Sequence, residues 1–295
     1  MTITPATASD LLERYGVAPK RALGQNFVVD PNTVRRIARL ADVGPRDRVI
    51  EIGAGLGSLT TALAETGARV LAIEVDAGLI PALKEVVAPY ERVKVLHADV
   101  TQIDWSSQLD DDRRWVVVAN LPYNIATPLV MGFLDEVPMV KRMLVMVQKE
   151  VGERFVAIPR TPAYGAVSVK VAYWAEAKIV GLVPPTVFMP KPKVDSALVS
   201  IVRRPKPAVP VGIDRDWLFQ LVRTGFGQRR KMLRRSLADL VKPASFERAG
   251  ISPEARAEEL DIYAWGLLAS NSPRVTGTRA VARSARERLI DDDRA

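Results

Sequence analysis

The stretch RVIEIGAGLGSLTTALAETG (residues 48–67) constrains the fold more than any other part of the chain. It reads as an apolar strand that breaks at Gly53, Gly55 and Gly57 and continues as a helix ending at Gly67. A strand that turns at once into a helix belongs to a parallel crossover unit, and the chain repeats that rhythm. DPNTVRRIARLA reads as a helix with Asp30 or Asn32 as its cap and Pro31 in its first turn. RVLAIEVD, VKVLHADV and WVVVAN read as strands, LIPALKEVVAPY and PLVMGFLDEV as helices, and RMLVMVQKEVGERFVA as a strand passing into a helix. AKIVGLV and SALVSIVRR follow as strands separated by a Pro-rich loop. The alternation predicts an α/β fold, a mostly parallel sheet with helices on both faces.

The strand pattern stops at PKPAVPVG (205–212), and DRDWLFQLVRTGF, RRKMLRRSLADLV and SPEARAEELDIYAWGLLAS then read as helical. We expect one domain over residues 1–206 and a small helical domain over 207–270. Residues 271–295, polar and ending in DDDRA, are expected to be a disordered tail. A length of 295 residues suits two such units.

Composition excludes several classes. No apolar run reaches membrane-spanning length, and MTITPATASDLLERYG lacks the basic start and apolar segment of a signal peptide, so a cytoplasmic protein with no membrane partner is expected. With no cysteine there is no disulfide, thiolate nucleophile or zinc–thiolate site. The single His97 rules out a multi-histidine site, so no metal is expected; inside a strand it reads as a packed or surface histidine. The net charge of +8 is unevenly spread. Between Arg203 and Arg235 ten basic side chains face only Asp214 and Asp216, a local excess as large as that of the whole chain. Such a concentration fits a nucleic-acid partner, with Arg229, Arg230, Lys231 and Arg234 as the candidate contacts. A solvated helix face is the plainer alternative for the same residues.

Glycines between a strand and a helix let a ligand approach the backbone, and the following helix offers unpaired N–H groups. An acidic residue about twenty positions later, at the end of the next strand, would hold ribose hydroxyls. Glu74 meets that expectation, with Asp76 as its competitor, and Asp99 at the end of the third strand is placed to accept from an adenine amine. A nicotinamide dinucleotide fits less well. The spacing is G-x-G-x-G rather than G-x-G-x-x-G, and no hydride acid–base pair is apparent. The constellation resembles the S-adenosylmethionine (SAM) site of class I methyltransferases, a Rossmann-like fold.

The fourth strand ends in ANLPYNIAT (119–127). Asn and Pro make a turn by themselves. Beside a methyl donor, the same residues acquire a chemical use. The exocyclic N6 of adenine is a poor nucleophile because its lone pair is delocalised into the ring. Two acceptors, the Asn120 side-chain carbonyl and the backbone carbonyl of Leu121 or Pro122, would pull the amine out of conjugation and face the charge that develops on it. Pro122 fixes the turn, and Tyr123 would stack on the base for roughly 1–3 kcal/mol. Phe188, in VPPTVFMPKPKVDS, either completes an aromatic sandwich or simply packs against its own domain. The base must arrive unstacked or flipped out.

Taken together, KRALGQNFVVD, EIGAGLGSLT, NLPYNIATPL, MVQKEVGERFVA, AYGAVSV, VPPTVFMPKPKVDSALV and FGQRRKMLRRSL resemble the ribosomal RNA adenine N6,N6-dimethyltransferases of the KsgA/RsmA type, over Lys20 to Leu237. The resemblance implies SAM-dependent dimethylation of two adjacent adenosines in the 3′-terminal hairpin of 16S rRNA, on immature 30S particles that the helical domain helps to dock. It places Asn26, Val28, Gly53 and Gly55 at the SAM site with Gln25 close by, Glu74 on the ribose and Asp99 on the adenine. Asn120 falls at the junction of cofactor and target, and Tyr123 and Phe188 on the flipped base. Ala54 stands where many members read Pro, and the tail has no counterpart. Three alternatives remain. One is the antibiotic-resistance type that dimethylates 23S rRNA. Another is a DNA adenine methyltransferase, disfavoured because its usual motif is Pro-Pro-Tyr. The third is a ribosome-assembly factor without catalysis. Nothing in the sequence calls for an obligate dimer, so a monomer is expected.

Overall fold

A computed structural model describes residues 3–109, 114–123 and 125–274. In chain order the elements are α1 (Pro5–Arg14), β1 (Phe27–Val28), α2 (Pro31–Ala41), β2 (Arg48–Ile52), α3 (Ser58–Ala64), β3 (Arg69–Glu74), α4 (Ile80–Val87) and β4 (Val93–His97). There follow α5 (Trp105–Gln108), β5 (Trp115–Asn120), α6 (Ala126–Glu136), β6 (Val140–Gln148), α7 (Lys149–Val156), α8 (Ala166–Trp174), β7 (Ala175–Val183), β8 (Phe188–Met189) and β9 (Ser196–Arg203). Four helices close the described chain: α9 (Arg215–Gly227), α10 (Leu233–Ser236), α11 (Pro243–Ala249) and α12 (Ile262–Asn271).

Seven strands form one sheet in the order β4-β3-β2-β5-β6-β9-β7. From β4 to β6 the neighbours are parallel, and β9 runs antiparallel to both β6 and β7. From β2 the chain builds outward through β3 and β4, then returns to lay β5 on the other side of β2. That reversal opens a crevice at the carboxyl ends of β2 and β5. Strand residues alternate between two apolar cores. Val49, Val70, Val116 and Val118 face α1 to α4. Ile50, Leu71, Val117 and Ala119 face the layer that contains α6. Both faces are covered, which is why these strands read as unbroken apolar runs.

A third core unites α9 to α12 through Trp217, Leu221, Phe226, Phe246 and Trp265. Tyr164, Val169 and Tyr173, from α8 and the loop before it, belong to the same cluster. The expected cap of α2 is present, with Asp30 Oδ2 accepting from Thr33 N at 2.8 Å.

RRKMLRRSLADLV is not one helix. A turn occupies Gln228–Arg230, and α10 is limited to Leu233–Ser236. Its backbone pairs sideways instead, Leu233 N donating to Ala255 O at 2.8 Å and Arg234 N to Pro253 O at 3.0 Å. SPEARAEELDIYAWGLLAS, which supplies the partners of that pairing, carries a short 3-10 turn at Ala257–Glu259 and is α-helical only from Ile262, where the Asp261 side chain caps α12 by accepting from Ala264 N. Asn271 still belongs to α12, and Trp217 Nε1 donates to Ser272 O at 2.6 Å. The rest of the expected tail, 275–295, lies outside the described residues.

Candidate active site

The glycine turn between β2 and α3 sits at the switch point. Gly53, Gly55 and Gly57 all take left-handed backbone angles (φ 71°, 58° and 87°). At Gly55 a side chain is excluded twice over, since a Cβ there would come within 2.9 Å of the Phe27 ring. A Cβ on Gly53 would meet the Asn120 backbone carbonyl at 3.7 Å, which measures how closely β2 and β5 approach across the crevice.

Glu74 closes β3 and is 5% exposed. Its Oε2 accepts from Gly55 N at 2.8 Å and its Oε1 from Asp76 N at 2.9 Å. Each oxygen keeps acceptor capacity for a further donor. Burial pushes this carboxyl above the usual range, and the N–H donors of Asp76 and Gly55 pull it back. Asp76 faces the other way. It accepts from Lys20 Nζ at 2.7 Å, Gln25 Nε2 at 2.8 Å and Gly78 N at 3.1 Å. Burial opposes its charge, but the Lys20 and Gln25 bonds hold it below the usual carboxylate range.

The segment 20–29 forms a strap over the crevice. Gln25 Oε1 accepts from Lys20 N at 2.7 Å, so both ends of its amide are spent on the strap and its anchor. Asn26 donates to Gly24 O at 3.2 Å, and its own backbone carbonyl accepts from Asn120 Nδ2 at 3.0 Å. That bond commits the Asn120 amine and leaves Oδ1 as an acceptor for another group. Next along, β1 pairs antiparallel with β8, Val28 opposite Phe188.

One crevice is therefore lined by Gln25, Asn26, Val28, Gly53, Gly55, Glu74, Asn120 and Pro122. Asp99, Tyr123 and Phe188 are not among its walls. Asp99 is exposed at the end of β4, its Oδ1 accepting from Thr101 N and Oγ1. Tyr123 is half-buried with its hydroxyl 3.3 Å from Ser196 Oγ. Phe188, 5% exposed, packs in the same core as Val28. Pro122 O already accepts from Ile125 N at 3.1 Å.

Sequence reading missed Glu51. This carboxyl in β2 is 1% exposed, lines the crevice, and has no hydrogen-bond partner for Oε2. Burial, with the neighbouring Glu74 charge, pushes it up to about 8. The available signal was an acid inside an otherwise apolar strand one residue from the glycine turn.

In the basic segment the four candidates separate. Arg229 Nε donates to Glu258 Oε2 at 2.7 Å and its Nη2 to Pro162 O at 3.1 Å. Arg230, Lys231 and Arg234 are all exposed, and Arg234 lies 3.6 Å from Glu254.

The strand order, the glycine turn at the switch point and the buried acid at the end of β3 define a Rossmann-like class I methyltransferase fold. Solved structures agree. The 23S rRNA methyltransferase ErmE superposes with a TM-score of 0.66 at 26% identity over 84% of this chain and 99% of that one. A dimethyladenosine transferase from Plasmodium falciparum, at 24% identity, shares the fold with a TM-score of 0.70 over 81% of this chain and 94% of that one. Within that class the chain belongs to the ribosomal RNA adenine dimethylase family, whose model matches residues 17–270. Relatives named ribosomal RNA small subunit methyltransferase A are 39% identical in Bacillus cytotoxicus and 41% in Geobacillus kaustophilus. Each match covers 90% of this chain and, respectively, 96% and 95% of the relative.

Proposed function

We propose that this protein uses SAM to dimethylate the N6 atoms of two adjacent adenosines in the 3′-terminal hairpin of 16S rRNA, acting in the cytoplasm, as a monomer, on immature 30S particles. The observation that carries the chemistry is the Asn120 amide at the switch point, its amine held by Asn26 O and its Oδ1 left to accept. The choice of small-subunit RNA is supported by 41% identity to a small-subunit enzyme over nearly its whole length, against 26% to the 23S methyltransferase.

The residues present fit SAM. The unpartnered Glu51 Oε2 suits the ammonium of an amino-acid tail, Glu74 has acceptor capacity for two ribose hydroxyls, and the glycine turn leaves room for the ligand against bare backbone. Gly53, Gly55, Asn26 and Val28 would wall the site, and the exposed Asp99, outside those walls, would take the adenine amine. When bound, SAM supplies an electrophilic methyl group.

On the target side, Asn120 Oδ1 and the Leu121 carbonyl accept from N6, the Pro122 carbonyl being the weaker candidate because one of its two lone pairs is given to Ile125 N. They orient the amine's lone pair and stabilise the positive charge that develops there. No strong base is needed, since the methylated nitrogen loses its proton to water. Tyr123 offers its ring to the base. Phe188 braces the strap through the β1–β8 pair and would meet the base only with movement of its loop. We take residues 1–206 as the methyl-transfer lobe and 207–270 as the lobe that docks on RNA, with Arg230 and Lys231 among its exposed cations.

Transfer of labelled methyl from SAM to 30S particles lacking the modification, compared with 50S particles and DNA, tests the reading. Label confined to 50S material or DNA would sink it. Binding of 30S with no transfer would favour an assembly factor.

A further inference from the structure

Among the described residues, two other than glycine hold a left-handed backbone, Asp42 (φ 50°) and Arg160 (φ 67°). Asp42 has a local reason, because it occupies the C-cap of α2, a position where such a residue closes a helix and Asp is tolerated. Arg160 closes no helix. It lies in the loop 157–165 between α7 and α8, and its Cβ makes a conformation that glycine adopts freely costly.

An internal partner is the first explanation to weigh. Arg160 Nη2 is 3.4 Å from Glu259 Oε2, but the arginine side chain is 75% exposed, and ion pairs of that kind add little. The fold relies on its backbone instead. Arg160 N donates to Glu258 O at 2.8 Å, a bond that any residue except proline supplies. The side chain is therefore carried at a cost that its own contacts do not offset.

Its surroundings indicate the use. Arg229 donates to the Pro162 carbonyl while Arg160 N donates to Glu258 O, so the loop is pinned to the helical lobe at two points. Thr161 Oγ1 closes it by donating to Ile158 O at 2.7 Å. Arg160 and Arg229 thus share Glu258 as a partner, one through its carbonyl and the other through its carboxylate, and Arg229 is followed directly by the exposed Arg230 and Lys231. We propose that Arg160, Arg230 and Lys231 form one phosphate-binding surface for the RNA substrate, spanning the junction of the two lobes. The proposal rests on the rRNA reading above. Glu259 holds the guanidinium while the surface is bare, and an RNA phosphate replaces it. A cation set on a fixed loop also loses little freedom on binding.

The test measures binding to 30S subunits lacking the methylation, over a range of salt concentrations, for wild type, Arg160→Gly and Arg160→Asn, with urea unfolding alongside. Both variants should show a salt slope smaller by about 0.9 and roughly 3- to 10-fold weaker binding at low salt. They should unfold at the same or higher urea concentration, because both residues accept the backbone angle. Glu259→Gln, which releases the guanidinium, should bind more tightly. An unchanged salt slope overturns the proposal, and if affinity still falls, the loop meets a ribosomal protein rather than RNA. Lower urea midpoints in both variants, or weaker binding by Glu259→Gln, overturn it as well. Failure of wild type to bind 30S at all would instead remove the substrate reading beneath it.

Discussion

Glu51 and Asn120 sit on adjacent strands and are put to opposite uses by their surroundings. Glu51 is buried with an unpartnered oxygen, so without ligand it keeps its proton up to about pH 8. The unfolded chain would release that proton near 4.5. A group raised in this way contributes stability that is complete below the unfolded value and is lost as pH rises through the folded one. Between about pH 5 and 8 the ligand-free protein should lose roughly 1.4 kcal/mol per pH unit through this residue. Glu51→Gln should remove that share of the slope, as read by urea unfolding at pH 5.5 and 7.5. Equal slopes in the two proteins would mean that Glu51 is already ionised. Asn120 presents its polar atoms instead of hiding them. Asn120→Ala should cut turnover about 10²- to 10³-fold, the loss typical of removing one group aimed at developing charge. Its 30S affinity should change little in a filter-binding assay. Near-normal turnover would remove Asn120 from the chemistry.

At the scale of elements, the strap 20–29 connects the two halves of the site. Asp76 anchors it through Lys20 and Gln25, Asn120 ties its middle, and β1 joins it to the Phe188 loop. Asp76→Ala would leave the Gln25 amide without its acceptor and free the strap. We expect about tenfold weaker binding of S-adenosylhomocysteine by calorimetry, with hydrogen bonds to a charged acceptor worth about 1.5–3 kcal/mol before discounting the exposed Lys20. Unaltered affinity would show that the strap is held by β1 alone. This element also marks the limit of what the sequence reveals. The sheet was legible because buried parallel strands are apolar runs broken by turn residues, and Gly53, Glu74 and Asn120 were legible because each ends such a run. The Gln25–Asp76–Lys20 network joins positions far apart in sequence and follows no period. β1 and β8 are two residues each, too short to form a pattern. Helix α8, AVSVKVAYW, is apolar on several sides because it packs both on the sheet and on the helical lobe, so it lacks the single stripe that identifies a helix.

Over the whole molecule, the basic excess that the sequence concentrates in one segment is divided by the fold into two kinds of cation. Arg229 turns inward, linking Glu258 and the Pro162 carbonyl, and so holds the helical lobe against the loop before α8. Arg230 and Lys231 face solvent, one residue further on. Had RRKM continued as a helix, its basic residues would have fanned around an axis. The turn and the sideways pairing of Leu233 and Arg234 leave Arg229 half-buried against Glu258 and the others exposed. Substituting them separately should therefore give different signatures. Arg230→Ala with Lys231→Ala should reduce the salt slope of 30S binding by about 1.8 and leave the urea midpoint in place, since each removes a phosphate contact and no internal bond. Arg229→Ala should lower stability by about 1 kcal/mol, a discounted value for a partly exposed pair. Its salt slope should fall by less than one contact, and its affinity should recover in Arg229→Lys only as far as stability does. If Arg229→Ala instead reduced the slope as much as Arg230→Ala while leaving the midpoint unchanged, the inward arginine would be an RNA ligand, and the junction between the lobes would have to open when the particle binds.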